Sequence, residues 1–159
     1  MLVHFNPIHA GEVLAWPQSE QELSFWASLD KQPDASVFSD WHADEDVSGF
    51  VLLEEGGLLA YGEIWREPGE RSVELARILV SPARRRSGVG SRLVSLLIEH
   101  AGVAELDAFW VRVVPENQAA LGCYASLGFV PASASEQRQL NAGQPREYVW
   151  LSRSARLVV

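Results

Sequence analysis

Two spacings of apolar residues recur along the chain, one alternating and one helical, and they divide it into strands and helices. Residues 2–5 form a short apolar start. Residues 8–16 and 19–29 carry helical spacing, with Leu23, Trp26 and Ala27 on one stripe, and Ser19 followed by Glu22 resembles a capping box. Residues 50–53 and 58–65, joined by Glu54-Glu55-Gly56-Gly57, predict an antiparallel hairpin, because glycine tolerates the positive φ of such turns. A second turn, Glu67-Pro68-Gly69-Glu70, leads into a strand over 73–80, which Ser81-Pro82 ends. Val89, Leu93, Leu96, Leu97 and Ala101 mark the buried side of a helix that Gly102 stops. A strand follows over 106–114 and is cut by Pro115. A short helix over 116–127 is closed by Gly128, and strands at 129–130 and 148–151 complete the chain. The order β, α, α, β, β, β, α, β, α, β, β predicts an α/β sheet with helices on both faces.

Composition narrows the class. With 159 residues and 47% hydrophobic content, residues 1–159 fit one globular domain, and no repeat, low-complexity tract or linker interrupts them. The lone Cys123 has no partner for an internal disulfide, and Cys, His, Asp and Glu do not gather at zinc-ligand spacing, so no metal is expected. No apolar run approaches the roughly 18 residues of a membrane helix. The amino terminus lacks the basic-then-apolar pattern of a signal peptide, which makes a cytoplasmic protein the expectation.

Charge adds a second constraint. The balance of 13 basic and 21 acidic residues, −8 in all, argues against general nucleic-acid affinity. Residues 1–63 carry one basic residue, Lys31, against twelve acidic ones (1 − 12 = −11), whereas residues 64–159 carry twelve arginines against nine acids (12 − 9 = +3). Either the two halves face differently charged ligands, a cationic one lying against the acidic half, or both are ordinary solvated surfaces.

The most informative stretch is Arg84-Arg85-Arg86-Ser87-Gly88-Val89-Gly90-Ser91, set between a strand and a helix start. A helix start leaves backbone N–H groups without internal partners, the macrodipole adds positive charge there, and glycine lets an anion approach the chain closely. Such a turn suits a pyrophosphate. Two other phosphate motifs fail: there is no Gly-Lys-Ser/Thr, and Leu93 stands where a dinucleotide fingerprint needs a third glycine. Nucleotide hydrolysis and hydride transfer both lose support.

The pattern Arg85-x-x-Gly88-x-Gly90 after an apolar strand ending in Ser-Pro resembles the acetyl-CoA motif of the GNAT (N-acetyltransferase) superfamily. The stretch Asn-Gln-Ala-Ala-Leu-Gly-Cys-Tyr-Ala-Ser-Leu-Gly-Phe, running from Asn117 through Phe129, is similar to the second motif of that family. The resemblance covers residues 50–151 and implies a mixed, mostly antiparallel central sheet of about six or seven strands with helices on both faces. It implies acetyl-CoA as donor. The backbone amides of Arg86, Ser87, Gly88, Val89, Gly90 and Ser91 would bind the pyrophosphate, Arg85 and its neighbours would face the CoA phosphates, and the backbone of Ile78, Leu79 and Val80 would pair with the pantetheine amides. Asn117 would touch the pantetheine arm.

Asn117 and Tyr124 stand seven apart, on one face of the predicted helix. Acetyl transfer expels a thiolate whose pKa is near ~8.5, and a phenol of pKa near ~10 can supply its proton. Tyr124 fits that general-acid role, which the resemblance also assigns to this position; the plainer reading is an aromatic core residue. Cys123 reads as small packing rather than a nucleophile, since no histidine is near it. The attacking amine must first lose a proton. Ribosomal-protein acetyltransferases of the family use a glutamate where Arg112 stands, so Glu63 and Glu74 on the central strands become the candidate bases acting through water. Trp26 and Trp65 are candidate walls for an amine pocket. The four histidines read as ordinary surface or capping residues.

The expected function is transfer of an acetyl group to a primary amine, cationic when free, on a small molecule or peptide. Arg112 at the expected base position motivates the alternative, a module that holds acyl-CoA without turnover. No nucleic-acid or membrane partner is expected, and an exposed strand at 148–151 suggests pairing across a homodimer.

Overall fold

A computed structural model describes residues 1–156. Among these are seven strands: β1 (Leu2–His4), β2 (Val47–Glu54), β3 (Gly57–Arg66), β4 (Ser72–Val80), β5 (Ala108–Val113), β6 (Val130–Pro131) and β7 (Val149–Ser154). Six α-helices accompany them: α1 (Ala10–Leu14), α2 (Glu20–Ala27), α3 (Ser36–His42), α4 (Val89–Ala101), α5 (Gln118–Ser126) and α6 (Ala134–Asn141). The strands form one sheet in the order β1-β2-β3-β4-β5-β7-β6, antiparallel except at β4–β5. The expected mixed, mostly antiparallel sheet is therefore present. No helix among the described residues is long and apolar enough to cross a membrane.

Strand alternation sends side chains to two separate cores. On one face Val89, Leu93, Val94, Leu97 and Ile98 of α4 pack against Phe50, Leu52, Ile64, Leu75, Phe109 and Val111. Each such aliphatic burial contributes about 1.5–3 kcal/mol, enough to fix where α4 begins. On the other face α1, α2 and α3 bring Val13, Leu14, Leu23, Trp26 and Phe38 onto Val51, Tyr61 and Leu79. Ser19 caps α2 by accepting from the Glu22 amide, as its position suggested.

Two helices were not expected. α3 is a short, mostly polar helix whose Phe38 is buried among aromatic rings. α6 is almost wholly polar, has no buried residue, and is started by a Ser133–Glu136 capping box instead of an apolar stripe. The segment 8–16 also divides, into a 3-10 turn at Pro7–His9 and then α1. β7 is an interior strand paired with β5 on one side and β6 on the other, so the exposed strand expected at 148–151 for a homodimer is not a free edge.

One irregularity shapes the sheet. Tyr61 pairs with Leu79 but Glu63 with Ala76, so β4 carries one extra residue, and Arg77 sits there in the left-handed region at φ 48°. A bulge of this kind bends its strand away from its neighbour. The parallel ladder between β4 and β5 covers only Ser72↔Ala108, Val73↔Phe109 and Glu74↔Trp110. Both strands continue beyond it, β4 to Val80 and β5 to Val113, without pairing to each other. The gap between them opens towards α4 and α5.

Gly62 lets α4 lie close over this region, since a Cβ there would stand 2.7 Å from Ile78 Cδ1 and 3.0 Å from Leu97 Cδ1. Gly62→Ala is expected to cost about 1–3 kcal/mol through overpacking. Gly11→Ala on the open face of α1, where nothing lies within 4 Å, should cost nothing. Urea melts of both variants check this; equal midpoints would show that α4 does not press on β3.

Candidate active site

The turn before α4 is built to leave amides open. Arg86 and Gly88 both take positive φ, at 60° and 81°, and Gly88 starts the helix with no side-chain cap. The amides of Arg86, Ser87, Gly88, Val89, Gly90 and Ser91 meet no acceptor among the described residues. All of these residues but Ser87 border a cavity of about 530 Å³ that Ile78, Val80, Ala120, Cys123 and Tyr124 also line. Arg85 also lines this cavity, but its guanidinium is engaged: it pairs with Glu22 and donates to the carbonyls of Trp16 (3.2 Å) and Val80 (3.2 Å), tying the turn to the α1–α2 connection. Arg84 and Arg92 both approach Glu54. Of the arginine run, Arg86 alone is exposed without a carboxylate partner among the described residues.

A second cavity of about 220 Å³ fills the gap between β4 and β5. It shares Ile78, Ala120 and Tyr124 with the first, so the two meet at the Tyr124 ring. Asn117 and Tyr124 both line it, as their helical spacing suggested. Asn117 also caps α5, its side-chain oxygen accepting from the Ala120 amide at 3.2 Å. Leu79 directs its side chain to the opposite core, leaving its backbone on the line between Ile78 and Val80. Burial, with the charges of Cys123 and Glu74 in support, pushes the Tyr124 phenol well above its ordinary pKa. The hydroxyl thus stays protonated at neutral pH.

The two carboxylates expected as bases occupy different settings. Glu74 lines the 220 Å³ cavity and is gripped by the Arg112 fork, Nε to Oε1 at 2.5 Å and Nη2 to Oε2 at 2.9 Å. Arg112 also donates to Gln144 Oε1 at 3.0 Å and lies 4.5 Å over the Trp150 ring. Burial opposes its charge, but the hydrogen bonds and charge of Glu74 outweigh that and raise its pKa. Glu63 is 0% exposed and does not line the cavity. Its Oε1 accepts from Trp65 Nε1 and Arg77 Nη1, each at 2.7 Å, and its Oε2 accepts from the Tyr61 hydroxyl. His42 Nε2 stands 2.9 Å from that hydroxyl and 3.6 Å from the carboxylate. Burial alone would raise the Glu63 pKa, but His42, Arg77, Tyr61 and Trp65 together bring it below the ordinary value. Glu63 is a fixed anion. It anchors Arg77, whose guanidinium lies 3.9 Å over Trp41 and whose carbonyl accepts from Trp26 Nε1 at 2.8 Å.

Trp26 and Trp65 do wall the cavity. Sequence reasoning missed Phe25, Arg77, Gln144 and Tyr148 as lining; a Tyr148 hydroxyl 2.7 Å from Ser28 Oγ links two walls, and no local pattern signals it. The acidic half does not line the cavity with charge. Residues 1–63 contribute Phe25, Trp26, Ala27 and Ser28, and the charged lining side chains among the described residues are Glu74, Arg77 and Arg112. Glu22, Glu54 and Glu63 instead pair with arginines of the basic half. No cluster of metal-ligating side chains occurs among the described residues.

A family model described as "Acetyltransferase (GNAT) family" matches residues 12–129. The tRNA(Met) cytidine acetyltransferase TmcA of Pectobacterium atrosepticum is 27% identical over 119 residues, which are 60% of this chain and 17% of that protein. The chain thus spans about a sixth of the length of the curated relatives it matches. Among solved structures, spermidine N-acetyltransferase from Vibrio cholerae in complex with CoA and spermine has a TM-score of 0.75 at 15% identity, over 98% of this chain and 95% of that one. Ribosomal-protein-alanine N-acetyltransferase from Brucella melitensis has a TM-score of 0.72 at 19% identity, over 97% and 99%. At these identities the likeness is one of fold.

Glu63, with a depressed folded-state pKa, contributes stability that is present above its unfolded value of 4.5 and is lost as pH falls through the folded value. Glu63→Gln should cost about 3–5 kcal/mol at pH 7, because it removes the partner of a buried guanidinium. The deficit should shrink on acidification. Urea melts at neutral and acid pH check both; an unchanged neutral midpoint would remove Glu63 as the anchor of the bulge.

Proposed function

This chain belongs to the acetyltransferase (GNAT) family, and we infer that it is an N-acetyltransferase that moves an acetyl group from acetyl-CoA to a primary amine. The observation that carries the reading is the meeting of two cavities at one phenol: an amide-lined turn on one side, a walled pocket on the other, and Tyr124 between them. The pyrophosphate of the donor fits the open amides of residues 86–91, where the α4 dipole and the freedom of Gly88 favour an anion. Arg86 is placed to meet phosphate charge; Arg85 serves by bracing the turn through Glu22. The stretch of β4 at Ile78, Leu79 and Val80, held by β3 on one side but without a β5 partner on the other, offers that side to the pantetheine amides, and Asn117 stands on the same path.

The acceptor arrives as an ammonium of pKa about ~10.4 and must shed a proton before attack. Glu74 is the carboxylate in the pocket to receive it, directly or through a water, whereas Glu63 holds the wall in place. The amine nitrogen bonds the thioester carbon, the carbon–sulfur bond breaks, and the thiolate takes the Tyr124 proton. The raised phenol pKa keeps that proton available at neutral pH. The remaining extra proton on the acylated nitrogen passes through water to the phenolate. The 159 residues are read as one catalytic domain.

The Arg112 grip on Glu74 favours a second reading, a module that holds acyl-CoA without turnover. Thiol release separates the two. The catalytic reading expects Tyr124→Phe to lower kcat by about 10²–10⁴-fold, with the calorimetric heat of CoA binding unchanged. Steady release that survives this change removes Tyr124 as the acid, and absence of release with any amine returns the chain to the binding reading.

A further inference from the structure

The charges of the 220 Å³ cavity narrow the acceptor, on the premise that this cavity is the acceptor end of an acetyl-transfer site. Three charged side chains line it, Glu74, Arg77 and Arg112. Arg77 is already engaged, with Glu63 on its Nη1 at 2.7 Å and Trp41 and Trp65 rings 3.9 and 4.9 Å from its guanidinium carbon. What remains for a ligand is the forked Glu74–Arg112 pair, one anion and one cation side by side, with side chains 9% and 24% exposed. A polyamine would meet a single carboxylate that is already neutralised, in a wall that carries two guanidiniums.

The geometry points to a free α-amino carboxylic acid as the acceptor class, its carboxylate taken by Arg112 and its amine by Glu74. Ammonium and carboxylate on one carbon reproduce the close spacing of the pair itself, 2.5 and 2.9 Å between contacting atoms. The ligand carboxylate replaces Glu74 on the Arg112 fork while the ammonium takes Glu74, so no buried charge is left bare during the exchange. Arg112 keeps its bond to Gln144 and its place over Trp150, which hold the fork in position. The exchange also frees Glu74 from the adjacent guanidinium. Glu74 then accepts the ammonium proton, the nitrogen bonds the thioester carbon, and the carbon–sulfur bond breaks. The expelled thiolate takes the phenolic proton of Tyr124, and the second proton of the acylated nitrogen passes through water to the phenolate, leaving the neutral amide. Phe25, Trp26, Trp65 and Tyr148 give the ligand side chain an aromatic surround. The cavity is smaller than the ~300–1,000 Å³ typical of drug-sized ligand sites, which suits one amino acid rather than a peptide.

The test uses the full chain with acetyl-CoA. Thiol release is compared for each standard amino acid, its carboxamide and the corresponding amine lacking the carboxyl group, with spermidine as a further arm. At least one amino acid should exceed its carboxamide in kcat/KM by about a hundred-fold, the scale expected when a buried charge loses its partner. Arg112→Gln should bring that ratio near unity and Arg112→Lys should leave it intermediate, while CoA binding heat shows that both variants fold. Calorimetry on CoA-loaded protein gives an activity-free readout: the amino acid binds and its carboxamide does not. Carboxamides or spermidine turned over as well as the amino acids would overturn the acceptor class while leaving acetyl transfer standing. Thiol release absent from every arm would defeat the transfer reading, and equal or absent heats for acid and amide would then defeat the ligand class as well.

Discussion

The site depends on β4 leaving β5 after three paired residues, and that departure rests on a bulge held by a buried ion pair. Arg77 occupies a left-handed conformation that a non-glycine residue adopts at a cost of about 1–3 kcal/mol. Glu63 beneath it, the indole of Trp26 on its carbonyl and the rings of Trp41 and Trp65 on its guanidinium over-determine that conformation. The network reaches the far core through Tyr61 and His42, and Gly49 leaves room for the His42 ring, since a Cβ there would stand 2.6 Å from it. With the bulge fixed, the strands part, and the gap is covered by the face of α5 that carries Asn117, Ala120 and Tyr124, by α2 through Phe25 and Trp26, and by Gln144 and Tyr148.

The uneven charge along the chain finds its explanation in the same frame. Glu22, Glu54 and Glu63 from the acidic half reach across to Arg85, Arg84 with Arg92, and Arg77. Two of these ties brace the turn before α4 and one braces the bulge. The amino-terminal helices therefore do more than cover the sheet, because α2 both steadies the turn through Glu22 and walls the pocket through Phe25 and Trp26. Exposed ion pairs contribute little each, so the Glu54 contacts act as guides, whereas the Glu63 pair sits where water does not screen it.

Much of the frame was legible because it is local. The α4 stripe, the glycine turn between β2 and β3, and the seven-residue step from Asn117 to Tyr124 each lie within one stretch of chain. The polar helix α6 escaped the apolar pattern, although Ser133 and Glu136 marked its start. Arg77 gave no signal, since an arginine inside a strand reads as a surface residue and nothing local announces positive φ. Alternation placed Glu63 on a face but not at a depth, so it read as a candidate base when it is a sealed anchor. Arg112 stood out as a departure, yet its partner Glu74 is 38 residues away and meets it only through a parallel pairing that no short-range pattern encodes.

The central claim is that a donor lying on the turn before α4 passes through the β4–β5 gap to reach Tyr124. A crystal structure of the chain with CoA bound tests it most directly. The account predicts the diphosphate on the amides of residues 86–91, the pantetheine arm beside Ile78–Val80 of β4, and the sulfur within hydrogen-bonding reach of the Tyr124 hydroxyl. A coenzyme bound elsewhere, or a gap closed by side chains with the sulfur remote from that phenol, would contradict it.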